Sequence, residues 1–92
     1  MPSAWVSFHP ERELLYFTTL MSYRCAIERA VIGIDGGALD TSLPLPPCEE
    51  NSPHAIPRDA TPYLALPKSV RTVSVQLTYF DGSQSEVKTF RR

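Results

Sequence analysis

Val70 to Phe90, Val-Arg-Thr-Val-Ser-Val-Gln-Leu-Thr-Tyr-Phe-Asp-Gly-Ser-Gln-Ser-Glu-Val-Lys-Thr-Phe, reads as one long β-hairpin. Val73, Val75, Leu77 and Tyr79 alternate with Thr72, Ser74, Gln76 and Thr78. Successive strand side chains point to opposite faces, so this segment has one apolar and one polar face. Asp81-Gly82 marks the turn.

The register follows from keeping the apolar partners together. A two-residue loop of Asp81 and Gly82 would turn Val87 to the polar face. A three-residue loop of Phe80, Asp81 and Gly82 pairs Tyr79 with Ser83, Leu77 with Ser85, Val75 with Val87 and Val73 with Thr89. It also puts Gly82 where a type I turn with a bulge needs a left-handed residue. This second register is the expected one, because a one-residue slip inverts every side chain. On the outer face it sets Gln76 against Glu86, Ser74 against Lys88 and Thr72 against Phe90.

Working outward, 92 residues make one domain. A chain of this size buries roughly 60–70% of its unfolded surface, enough for a modest core. The net charge is −1, without a block of like charge. Capture of nucleic acid needs a basic patch, and the sequence offers only Arg91-Arg92 and single charges, although folding could gather Arg24, Arg29, Lys68 and Arg71. Trp5 to Phe8 is too short for the apolar part of a signal peptide, and Leu14 to Met21 too short to span a bilayer. A cytoplasmic chain is the default expectation, with no membrane partner.

Upstream, Ala4 to Phe8 is a short strand broken by His9-Pro10, with Trp5 anchoring a core edge. Glu13 to Leu20 carries both signals. Leu14, Phe17 and Met21 could line a helix, whereas Tyr16, Phe17, Thr18 and Thr19 favour a strand, and strand is preferred. Tyr23 to Asp35 reads as a second long β segment whose phase shifts after Arg29, predicting a bulge near Glu28 to Ala30 or two strands. Asp35-Gly36-Gly37 forms a turn. Residues 38–62 are irregular, since prolines 44, 46, 47, 53, 57 and 62 lack backbone donors. Leu43 to Pro47 suits polyproline II or an edge strand. Tyr63 to Leu66 gives a further strand. The sum is all-β: a small antiparallel sandwich of six to seven strands with a long Pro-rich loop.

Tyr63-Leu64-Ala65-Leu66-Pro67, Thr72-Val73-Ser74-Val75 and Asp81-Gly82-Ser83-Gln84-Ser85 resemble the E, F and G strands of fibronectin type III domains, within the wider immunoglobulin-like class. Ile27 to Gly36 is similar to a C strand with its turn. The chain departs from the pattern at Arg71, where those domains usually carry tyrosine, and in having no tryptophan early in a B strand. Cys25 and Cys48 lack the immunoglobulin disulfide spacing. The resemblance implies architecture and transfers no activity.

Chemistry-bearing residues are few. The preferred reading of Cys25 and Cys48 is two reduced, partly buried thiols. A disulfide tying the middle loop to an early strand is the alternative, and a metal site with His9 or His54 lacks ligand spacing. A Cys48–His54 nucleophile would have Glu49 and Glu50 beside it, which oppose a thiolate. Asp35 and Asp40 read as turn residues, and Glu49-Glu50 do not face each other across a cleft. No cofactor, metal or enzymatic activity is expected. The expectation is a non-catalytic module that binds a protein partner, as accessory subunit, adaptor or inhibitor. Phe80, Phe90, Leu43, Leu45 and Tyr63 are the candidate contact residues, with the two phenylalanines on the polar face of the hairpin. A carbohydrate-binding module is the alternative, using Tyr63, Phe80 and Phe90 as stacking rings.

Overall fold

A computed structural model describes all of residues 1–92. In chain order the strands are β1 (Ser7–Phe8), β2 (Leu14–Tyr16), β3 (Ile27–Ile34), β4 (Thr41–Ser42), β5 (Tyr63–Ala65), β6 (Thr72–Tyr79) and β7 (Lys88–Arg91). A short helix α1 (Thr18–Ser22) and a 3-10 turn (Arg24–Ala26) separate β2 from β3. Two antiparallel sheets result, one ordered β1-β2-β5 and the other β4-β3-β6-β7. They enclose one core, to which Leu15 of the first sheet and Ala30, Ile32, Val73, Val75 and Leu77 of the second contribute fully buried side chains. The molecule is a small β-sandwich.

The central strand β6 follows its sequence pattern, with Val73, Val75 and Leu77 inward and Ser74 and Gln76 partly exposed. Its neighbour β3 pairs Ile27 with Tyr79 but Arg29 with Thr78, so Glu28 is an extra residue. That bulge explains the shift of phase: it lets Ile27, Ala30 and Ile32 all reach the core.

The hairpin turn also follows expectation. Gly82 N–H donates to the Tyr79 carbonyl, Tyr79 N–H to that of Ser83, and Gly82 sits at φ +87°. Asp81 Oδ1 accepts from the Ser83 hydroxyl and N–H, which holds its carboxyl below the usual aspartate range. Beyond the turn the expected register fails. Thr78 faces Gln84, but Val75 faces Lys88 and Val73 faces Phe90. Glu86 and Val87 therefore both oppose Gln76. The cause is local: Ser85 Oγ, in place of the Ser85 carbonyl, accepts from Leu77 N–H at 2.9 Å. The freed carbonyl accepts from the Gln76 side-chain amide at 3.1 Å. The slip turns Val87 outward, 49% exposed, and brings Phe90 to the apolar face against the core.

Two other segments depart from expectation. Glu13 to Leu20 is strand only at Leu14–Tyr16; then the chain coils, because a helical turn places Leu20 and Met21 together in the core. Tyr23 to Ala26 is not strand, since this piece turns the chain from one sheet to the other. The thiols are not reduced: Cys25 and Cys48 are joined in a disulfide.

That disulfide is one of several ties between the crossing at residues 18–26 and the Pro-rich loop. Arg24 is 2% exposed. Its Nε donates to the Pro47 carbonyl at 2.9 Å, and its Nη1 to those of Ala55 at 2.7 Å and Met21 at 3.0 Å. His54 Nδ1 donates to the Ser22 carbonyl at 3.0 Å, and its ring stands edge-on to Tyr23 at 5.0 Å. At the other end of the sandwich Asp35, at φ 50°, accepts through Oδ1 from the N–H groups of Thr72 and Arg71. These bonds, the Thr72 one foremost, lower its pKa.

Candidate functional site

The strands β1 and β7 are the outer members of their sheets, and they line one cleft of about 400 Å³. Its apolar wall is Val6, Phe8 and Phe90, and its rim carries His9, Arg91 and Arg92, with no carboxylate in the lining. Below it the buried Trp5 ring lies 6.2 Å from that of Phe90. Two cations cover the rings: Lys88 Nζ lies 4.3 Å from the Trp5 centroid and the Arg92 guanidinium 4.7 Å from Phe8. Arg92 is further held by Nε and Nη2, which donate to the carbonyls of Val70 and Pro67.

Hydrogen-bond alternation shows which backbone groups face the open edges. In an antiparallel pair, opposed residues alternate between bonded and non-bonded positions. Arg92 N–H donates to the Arg71 carbonyl, which makes Phe90 and Lys88 the next bonded positions. Thr89 and Arg91 therefore turn their N–H and C=O groups away from β6. On β1, His9 N–H donates to the Leu14 carbonyl, so Phe8 is the residue whose main chain faces away from β2. The cleft is thus flanked by two unpaired sheet edges.

Of the five candidate contact residues, Phe90 alone lines this cleft, and on the opposite face from the one expected. Phe80 crowns the hairpin turn, 64% exposed. Leu43 is buried in the core and is no contact residue in this conformation; it extends the β3 pairing through its N–H to the Ala30 carbonyl. Leu45 is half-buried and borders a shallow hollow with Met21, Pro44, Pro46 and Ala60. Tyr63 lies on the other sheet, 40% exposed, edge-on to Tyr16 at 5.4 Å. Tyr16 in turn neighbours His9 at 5.9 Å. Tyr63, Phe80 and Phe90 do not form one stacking surface.

The remaining candidates are occupied in holding the fold. Cys48 is bonded to Cys25, so neither sulfur is a thiolate. His9 Nδ1 accepts from the N–H groups of Glu11 and Arg12, fixing the β1–β2 turn. Arg24 is withdrawn from any surface cluster with Arg29, Lys68 and Arg71. Sequence reasoning missed Phe8, Arg91 and Arg92 as neighbours. Arg91-Arg92 beside an aromatic on a last strand was the available signal, read only for phosphate. No family model, curated protein or solved structure matches this chain.

Proposed function

We propose that this chain is a protein-binding β-sandwich module, working without catalysis as accessory subunit, adaptor or inhibitor, and docking its partner in the β1/β7 cleft. The observation that carries the reading is the meeting of two unpaired sheet edges over a half-buried apolar wall. Strand edges offer rigid main-chain donors and acceptors, so little entropy is lost on docking. The finer fold assignment, a fibronectin type III or immunoglobulin-like arrangement, draws support from strand order. With β3, β5, β6 and β7 as C, E, F and G, the C, F and G strands share one sheet and E joins the first two strands in the other.

Hydrogen exchange on the complex isolated from the source cell tests the docking reading. Slower exchange of the amides at Phe8, Thr89 and Arg91 is the expected result. Recovery of the chain only as a lone monomer, or protection confined to other surfaces, overturns it.

A second reading, carbohydrate binding, has Tyr16 and Tyr63 in its favour, neighbours on the outer face of the three-stranded sheet. Their planes meet at 62°, which presents one ring face at a time to a sugar. A glycan array probed with the chain and with Tyr63→Ala separates the readings. Hits abolished by the substitution favour the sugar.

A further inference from the structure

We infer that the partner enters the cleft as an extended segment bearing acidic side chains, adding as a strand along β7. This deepens the docking reading above and rests on it. The free edge of β7 presents the N–H and C=O groups of Thr89 and Arg91, spaced as the rungs a new strand would use. Side chains of β7 alternate: Phe90 leans onto the apolar wall, while exposed Thr89 and Arg91 face outward beside Ser74 and Thr72. An added strand would match that alternation, with apolar residues over Phe8 and Phe90 and carboxylates beside Arg91.

Charge selects the occupant. Lys88, Arg91 and Arg92 all belong to this edge, and the cleft lining holds no carboxylate. A second copy of this chain is disfavoured, because pairing β7 with itself about a two-fold axis would gather all these cations from both molecules in one place. A partner strand rich in Asp or Glu meets the opposite sign at Arg91 on its outer face and at Lys88 and Arg92, which flank Phe90.

The test is an amide-resolved NMR titration of the full chain with a short peptide alternating valine and glutamate. Controls are the valine–lysine peptide and a valine–glutamate peptide N-methylated on alternate residues. The acidic peptide should move the amides of Phe8, Thr89, Phe90 and Arg91, and both controls should leave them in place. Arg91→Glu, at an exposed position, should weaken binding roughly tenfold. Thr89→Pro should abolish it while the amide pattern of β6 persists, since the Thr89 N–H points away from β6. Equal binding of either control, peptide shifts centred on Phe80 or the Pro-rich loop, or self-association through β7 overturns the inference. Should the acidic peptide fail while the native complex still protects Phe8, Thr89 and Arg91, the strand inference falls and the docking reading stands. Should no native complex form, both fall.

Discussion

On one flank of the sandwich the chain crosses from β4 to β5 through residues 43–62 and covers the gap between the sheets; on the other, β1 and β7 leave that gap as a cleft. The covered flank is made from poor material. Its prolines lack donors, and the hydrogen bonds its amides make within the loop are short turn bonds, from Ser52, Ala55 and Ala60 to carbonyls three residues back. Only its ends reach a ladder, where the Leu43 N–H donates to the Ala30 carbonyl and the Phe17 N–H to the Pro62 carbonyl. It is held instead by a disulfide, by the Arg24 guanidinium and by His54. The open flank has good strand material with unspent donors and acceptors. The difference teaches that the Pro-rich loop, for all its missing donors, packs Leu43, Leu45 and Ile56 against the core, whereas the outer strands near the chain ends keep an edge unpaired.

The largest expected effect comes from breaking the clasp at its centre. Arg24→Ala should destabilise by about 3–5 kcal/mol in denaturant unfolding, because it strands three carbonyls that a buried guanidinium satisfies. A loss under about 1 kcal/mol would show that the loop is held without it. Removing the disulfide with Cys25→Ala and Cys48→Ala should cost about 3 kcal/mol, from the closed loop it constrains. Hydrogen exchange should then quicken near Leu43 and Ala55 and stay unchanged on β7. Equal quickening on both flanks would erase the contrast.

On the open flank a pair of substitutions sharpens the register. Phe90→Ala should cost about 2 kcal/mol and Val87→Ala less than about 0.5 kcal/mol, since only the first side chain packs on the core. The reverse order would restore the unslipped hairpin. The smallest effect concerns Asp35, whose carboxylate ties the β3–β4 turn to β6. Its folded pKa lies below the unfolded one, so its contribution is complete above about pH 4 and is lost as pH falls through the folded value. Asp35→Asn should lower stability most near neutral pH and least in acid, so that the acid limb of the stability profile flattens. An unchanged acid limb would refute that role.

The strand β6 was legible because Val73, Val75 and Leu77 alternate with polar residues and both its neighbours supply their own apolar partners. The turn was legible from Asp81-Gly82, and the bulge of β3 from a break in phase at Arg29. The slip in β7 was not, because it depends on a serine hydroxyl taking the place of a carbonyl, and hydroxyls at strand positions are common. The helix at Thr18–Ser22 was hidden by β-favouring residues, overridden by the need to bury Leu20 and Met21. Pairing of the cysteines required the loop to lie on the crossing, and Arg24 reads as part of the polar side of a strand that the chain does not form there. Phe90 was named on the wrong side of the sheet, and the cleft it lines joins residues from opposite ends of the chain, a proximity that no local pattern encodes.

The bulge at Glu86 and Val87 has one more effect, on what a lost codon would do. Deleting Val87 would remove the extra residue opposite Gln76, so that Lys88 to Arg91 keep their partners on β6 and Phe90 stays on the core. Deleting Thr89 instead would carry Phe90 opposite Ser74, into water, and Arg91 opposite Val73, over the core. The same loss of one residue is thus absorbed at the bulge and swaps greasy and charged sides when it falls beyond it.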